Sequence, residues 1–287
     1  MADRLRVLTF NLLTWRSADG PARHEAVRSV LPSLGADVVA LQEVARTGPV
    51  DQAHDLLGPE FEIVDVPGAD PVYGGECLAT RYPVVDVHAL DRPLEQRADG
   101  EVPRASAVAV EIVVPGTIGP VLLVHHKGTF EWHLENVREQ QALATAQFVE
   151  RLVESRPVLP VVLLGDFNAA PDTASMRFLT GRQSLAGMSV CYVDAWEAVH
   201  SDERGDTFSP GNPLVRAGQM PLERGRRIDH VLVRGGAHGP PLDVADCRLV
   251  FTEPVKDVWA SDHYGVLADL RRPPHPPGEW ATGPAMG

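Results

Sequence analysis

Apolar residues in this chain fall into short β-branched runs divided by polar turns, with a few longer stretches at helical spacing. Leu5–Phe10, Val38–Leu41, Cys77–Thr80, Ala107–Val114, Val121–Val124, Val161–Leu164, Ile228–Val233, Arg248–Phe251 and Tyr264–Leu270 read as buried strands. Two stretches instead repeat with a helical period. Ala22–Leu31 puts Val27, Val30 and Leu31 on one face, and Glu131–Glu154 lines up Leu134, Val137, Gln141, Ala144, Phe148 and Leu152. A third helix is expected after Pro171-Asp172, with Asp172 as its cap and Met176, Phe178 and Leu179 inside. The segment 201–227 has no periodic pattern and reads as a long polar loop, of the kind that serves a site or moves.

Nine strand-like runs with so few long helices suggest one domain of two packed sheets flanked by helices. The domain is expected over 1–272. The Pro- and Gly-rich tail, 273–287, is expected to be disordered. No run of 18 apolar residues exists, so no membrane-spanning helix is expected, and the amino-terminal residues lack a secretory pattern. The reading is therefore a cytoplasmic protein, monomeric by default. Cys77, Cys191 and Cys247 are odd in number and far apart, which argues against a disulfide framework, and all three read as buried packing residues. The net charge of -13 repels polyanions, so non-specific nucleic-acid binding is disfavoured. An acidic cluster around metal ions would contribute to the same charge.

The chemistry sits where apolar strands stop. Leu8-Thr9-Phe10 ends in Asn11, and Val38–Gln42 ends in Glu43. Leu122–Val124 ends in His125-His126, and Val162–Gly165 ends in Asp166-Phe167-Asn168. Arg227-Ile228 leads into Asp229, and Ser261-Asp262-His263 precedes the last strand. One polar strand end is ordinary. Six of them supplying carboxylates, amides and imidazoles meet the needs of metal-assisted hydrolysis: hard oxygen ligands plus proton-transfer groups.

Thr9-Phe10-Asn11, Leu41-Gln42-Glu43-Val44, the His pair, Gly165-Asp166-Phe167-Asn168, Arg227-Ile228-Asp229-His230 and Ser261-Asp262-His263 appear in an order that resembles the endonuclease/exonuclease/phosphatase superfamily. The resemblance runs from Leu5 to Leu270. It implies a four-layer α/β/β/α sandwich of two mixed sheets flanked by helices. It implies that Glu43 and Asn11 hold a catalytic Mg²⁺ or Mn²⁺, that Asp262 completes that metal site or a second one nearby, that Asp166 orients or deprotonates the attacking water, and that Asn168 holds the phosphate. It further implies that His263, paired with Asp229, contacts the phosphoryl oxygens. His126 is the better match to the family's other imidazole, although Val124-His125-His126-Lys127 departs from the usual Asn-Thr-His-Leu and His125 remains open.

Four residues are candidates for substrate contact or its support. Glu76 could orient the His of the pair, Arg104 could clamp a phosphate, His125 is the alternative imidazole, and Arg227 either joins a basic cluster with Arg216, Arg224 and Arg226 or tethers a strand. Thr207-Phe208 reads as support behind the site, and Trp132 as packing or as pocket lining. The implied activity is in-line hydrolysis of a phosphate ester, mono- or diester, on a small molecule or lipid headgroup. A nuclease is the first alternative, tilted against by the acidic charge. A catalytically inert binding protein of the same fold is the second, disfavoured because every chemical position holds a competent residue. Specificity is expected in the loops 85–104, 128–136 and 201–227.

Overall fold

The computed structural model describes residues 3–47, 50–69 and 74–280. In chain order the strands are β1 (Leu5–Asn11), β2 (Val38–Val44), β3 (Glu62–Asp65), β4 (Gly75–Thr80), β5 (Val84–Pro93), β6 (Arg104–Val114), β7 (Gly119–Lys127), β8 (Val161–Asp166), β9 (Tyr192–Asp194), β10 (Asp229–Arg234), β11 (Asp243–Val250) and β12 (Gly265–Arg271). The helices are α1 (Gly20–Val30), α2 (Gln52–Leu57), α3 (Glu135–Val153), α4 (Ala174–Leu179), α5 (Ala195–Val199) and α6 (Pro213–Ala217). The strands form two six-stranded sheets, ordered β11-β12-β1-β2-β4-β3 and β5-β6-β7-β8-β10-β9. Each is mixed: β1/β2 and β7/β8 are parallel, the remaining pairs antiparallel.

Strand alternation builds the layers. Leu5 and Val7, Val38 and Ala40, Leu123, Val162 and Leu164, Val231 and Val233, and Val266 and Ala268 meet between the sheets in one core. The opposite parity of the first sheet, Leu8, Phe10, Val39 and Leu41, packs with Val27 of α1 and Leu56 and Leu57 of α2. The opposite parity of the second, Leu122, Val124 and Leu163, packs with Ala142, Phe148 and Val149 of α3. The result is the expected α/β/β/α sandwich.

Several local expectations are corrected. The α4 cap is Thr173 rather than Asp172. β5 occupies the first part, 85–93, of what read as the loop 85–104; its largely exposed residues lack the apolar run that marks a buried strand. β3, β9, α2 and α5 are too short to leave a periodic signal. Cys77 and Cys247 are buried, but Cys191 is exposed, because it precedes a short edge strand. His24 of α1 is buried beside Asp55. Residues 273–280 of the tail carry no regular element; 281–287 lie outside the described residues. Among the described residues no helix is long and apolar enough to cross a membrane.

Candidate active site

The inner-face parity of the central strands continues past the apolar core into polar residues. β1 offers Thr9 and Asn11, β2 offers Gln42, β7 offers His125 and Lys127, β8 offers Asp166, and β10 offers Asp229. All therefore gather at one edge of the sandwich. Glu43 has the wrong parity for this and reaches the site by a bulge. The β2/β4 register shifts between Gln42 and Val44, and Glu43 takes a left-handed φ of 55°. Asn168 likewise adopts φ 51°. Strained backbone at two such residues is a mark of functional sites.

Asp166 is fully buried and heavily held. Its Oδ2 accepts from Asn11 Nδ2 at 3.0 Å and Asn168 Nδ2 at 3.2 Å, and its Oδ1 accepts from the Asn168 amide at 3.0 Å. Burial and then Asp229 raise its carboxyl to about 6. Glu43 Oε1 accepts from Asn11 Nδ2 and Lys127 Nζ, each at 3.1 Å, and its Oε2 accepts from the Thr14 amide at 3.0 Å. Burial opposes ionisation of Glu43, but Lys127 and these hydrogen bonds outweigh it and hold the group at about 2. Gly165 precedes Asp166 because β8 passes so close to β7 that a Cβ there would meet His126 O at 1.9 Å.

His263 Nδ1 lies 2.9 Å from Asp229 Oδ2. Burial lowers the affinity of this imidazole for a proton, but Asp229 reverses the balance and lifts it to about 10. Thr207 Oγ1 accepts from the amides of Ile228 and Asp229 at 3.0 and 3.2 Å, and Thr207 O accepts from the Tyr264 amide at 2.7 Å. Thr207-Phe208 thus fixes both members of the pair from behind, with the Phe208 ring 4.9 Å from His263. Ser261 Oγ donates to Asn11 O at 2.7 Å, which ties the Asp262 segment to β1. Burial, and then Glu43, raise the carboxyl of Asp262.

Glu43, Asp166, Asn168, Asp262 and His263 line a cleft of about 540 Å³. Its outer wall is Phe130, Phe208, Leu214, Val215, Met220 and Ile228, drawn largely from the loops 128–136 and 201–227. Among the described residues Arg226 is the one arginine in this wall, and no lysine lines it. Arg226 is neutralised by Glu223 at 2.7 Å and lies 5.0 Å from the Trp132 ring centroid. Trp132 is exposed at the rim, its indole nitrogen 3.1 Å from Met220 Sδ, so it is neither core nor fully buried packing.

The acidic set suits a hard divalent cation. Asp166, Asp229 and His263 place ligand-type atoms within 4.8 Å of one another. In that trio, however, His263 and Asp229 Oδ2 are held to each other as an ion pair, which leaves Asp229 Oδ1 buried without a partner among the described residues, while Glu43 and Asp262 turn carboxylates into the cleft and Lys127 is the one basic side chain among the described residues bonded to either. Glu43 and Asp262 are thus the cleft-facing carboxylates that would hold such an ion. Asn11, expected as a ligand, bridges Glu43 and Asp166 through its amide nitrogen, and its Oδ1 accepts from the Leu13 amide at 2.9 Å.

Other expected contacts do not reach the cleft. His126 faces α3, with Nδ1 3.0 Å from Thr145 Oγ1 and its ring 4.8 Å from Phe167. Burial lowers it to about 4, so it is a neutral, structural imidazole. The resemblance aligned the His block one residue off the face the sheet presents, and a one-residue slip reverses every side chain. Lys127 holds the cleft-side position instead, raised by Glu43, Asp166 and Glu76 against its burial. His125 has the right parity but lies deeper, 3.0 Å from Gln42 Nε2 and 3.4 Å from Glu76 Oε2. Glu76 therefore faces the other histidine of the pair; burial, then Asp166 and Glu43, push its carboxyl to about 7 against Lys127. Arg104 is exposed and bound to Asp91 at 2.6 Å, outside the cleft. Arg227 is buried against Asp194 and Glu197, a strand tether rather than a substrate contact.

Sequence reasoning missed Lys127 as a site residue, because a lone lysine after two histidines reads as solvated. It missed Arg23, whose guanidinium is buried under the cleft loop, because nothing in a helical arginine signals burial.

Fold and cleft together bring an acidic cluster and an imidazole to the strand ends of a two-sheet sandwich. A profile of the Endonuclease/Exonuclease/phosphatase family matches residues 8–263, and the chain belongs to that family of phosphoric ester hydrolases. It is 26% identical over 289 residues to a protein of Drosophila melanogaster described as "Putative neutral sphingomyelinase", covering 93% of this chain and 60% of that one. The chain thus spans about three fifths of that relative's length. TDP2 from C. elegans superposes with a TM-score of 0.71 at 18% identity, over 93% of this chain and 75% of the other. D. rerio TDP2 complexed with a single-strand DNA product gives 0.70 at 17% identity, over 94% of this chain and 100% of the other. At these identities the structural likeness establishes the fold.

Proposed function

We propose that the chain is a Mg²⁺- or Mn²⁺-dependent phosphodiesterase or phosphatase acting on a small-molecule or lipid-headgroup phosphate ester by in-line attack of water. The observation that carries this reading is the convergence of Glu43, Asp166, Asp262 and the Asp229–His263 pair on one cleft. Glu43 and Asp262 hold the cation, and Asn11 and Lys127 hold Glu43. The bound ion supplies Lewis-acid polarisation of a phosphoryl oxygen.

The remaining work falls to the chain's own groups. Asp166 orients water and accepts its proton; two asparagines fix its carboxylate, and a proton affinity near neutrality suits a general base. His263, charged through Asp229, donates to a phosphoryl oxygen as negative charge builds there. Asn168 is held at the cleft by its bond to Gly128 O at 2.9 Å and adds a second polar contact.

The wall favours a substrate whose remaining portion is uncharged and at least partly apolar. A polynucleotide needs cations along its backbone. Here the single wall arginine is already neutralised, and the net charge is -13. The test is a panel of phosphomonoesters, choline-bearing lipid diesters, bis(p-nitrophenyl) phosphate and duplex or single-stranded DNA. The reading expects the highest kcat/KM on small or lipid esters. Preference for DNA, with binding that weakens steeply as salt rises, would overturn it in favour of the nuclease.

A further inference from the structure

Arg23 on α1 is buried, and among the described residues no carboxylate bonds to it. Its donors go to backbone carbonyls: Nη1 to Leu12 O at 2.5 Å and Ala260 O at 3.5 Å, Nη2 to Leu13, Thr14 and Ser17 O at 2.9 Å each, and Nε to Ser17 O at 3.2 Å and Ala18 O at 3.1 Å. A buried charge satisfied only by carbonyls is expensive. Glu43, Asp262 and Asp19 are the carboxylates close enough to support it through space.

What Arg23 gathers is the wall of the cation site. Leu13, Thr14, Ser17 and Ala18 line the cleft. Leu13, Ala18 and Asp19 sit at φ 54°, 44° and 54°, a conformation non-glycine residues hold only when their surroundings impose it. That path delivers the Thr14 amide to Glu43 Oε2 at 3.0 Å and the Leu13 amide to Asn11 Oδ1 at 2.9 Å. Ala260 lies two residues before Asp262 and is buried. One guanidinium therefore joins the 12–18 segment, whose Thr14 amide holds Glu43, to the segment that leads into Asp262.

We infer that Arg23 is a positioning residue for the cation site: its carbonyl cage holds the Thr14 amide on Glu43 and fixes the spacing between Glu43 and Asp262 before any ion arrives. A lysine cannot reproduce this, because its three donors radiate from a point whereas the planar fork reaches several carbonyls at once.

This inference rests on the function proposed above. The test titrates Mn²⁺ calorimetrically into metal-stripped full-length protein and into Arg23→Lys and Arg23→Met, well below each melting temperature. Outer-shell losses at metal sites weaken binding by about 10–100-fold. We expect a loss in that range, with faster amide exchange confined to residues 12–18 and 260–263. At saturating Mn²⁺, kcat on bis(p-nitrophenyl) phosphate should return toward that of the unmodified protein. Unchanged Mn²⁺ affinity with only a lower melting temperature would make Arg23 a plain loop staple and overturn the inference. Should neither variant fold, the unmodified protein decides. A Thr14 amide protected with and without Mn²⁺ supports an Arg23-held loop, and protection only with Mn²⁺ refutes it. Failure of the unmodified protein to bind Mn²⁺ would count against the proposed function itself.

Discussion

His263 and Asp229 act as one unit: the imidazole Nδ1 stands 2.9 Å from Asp229 Oδ2, and the pair is closed behind by Thr207 and Phe208. The unit delivers a fixed positive charge to a site of carboxylates. Removing a preorganised donor of this kind costs about 3–4 kcal/mol of transition-state stabilisation. His263→Ala is therefore expected to lower kcat about 100-fold or more with KM little changed, measured by steady-state turnover. Near wild-type turnover in a folded variant would remove His263 from the mechanism.

His126 gives the contrasting prediction. Its contacts are Thr145 and Phe167, on the α3 side of the second sheet. His126→Phe is expected to leave turnover near that of the unmodified protein while losing about 1 kcal/mol of stability with the buried hydrogen bond. Urea denaturation and a turnover assay separate the two effects. A collapse of kcat with stability intact would return His126 to the active site.

The two histidines also mark what sequence could and could not deliver. Strand cores such as Val161–Leu164 and Val121–Val124 were legible because burial writes itself as apolar, β-branched runs, and the strand-end residues Glu43, Asp166, Asp229, Asp262 and His263 followed from where those runs stop. Facing was not legible at the His pair, since two adjacent histidines fit either parity. The Glu43 bulge was hidden too, because a left-handed φ at a glutamate has no sequence signature. Arg104 and Arg227 failed for a different reason: an arginine's partners, Asp91 and Asp194 here, are distant in the chain or invisible before folding.

Asp194 contributes to acid stability. It is buried against Arg227 and His230, 3.0 Å from His230 Nδ1. Burial opposes its ionisation, but His230 and Arg227 prevail and its carboxyl lies below the usual range. A depressed carboxyl stabilises the fold fully above its unfolded value of about 3.9 and loses that contribution as pH falls toward its folded value. Stability measured by denaturant titration should therefore drop below about pH 4. Asp194→Ala should destabilise by about 3–5 kcal/mol at pH 7 by leaving Arg227 partly unpaired. An Asp194→Ala protein as stable as its parent at pH 7 would contradict this.

Gly165 is the close-approach point between β7 and β8, where a Cβ would overlap His126 O. Gly165→Ala must push the strands apart or bend β8. Overpacking of this kind costs about 1–3 kcal/mol or more, and here it also displaces the adjoining Asp166. Thermal melting together with kcat should show both losses; a variant losing neither would mean that the strands separate freely.

The whole account rests on a cation held at Glu43 and Asp262 beside Asp166 and His263. The most direct measurement is turnover of bis(p-nitrophenyl) phosphate by the unmodified protein after exhaustive chelation, then after graded return of Mg²⁺ or Mn²⁺. The account predicts background rates after chelation and saturable recovery with the ion, abolished in Glu43→Ala and Asp262→Ala. Turnover that persists unchanged in chelator, or that recovers equally in those variants, would contradict it.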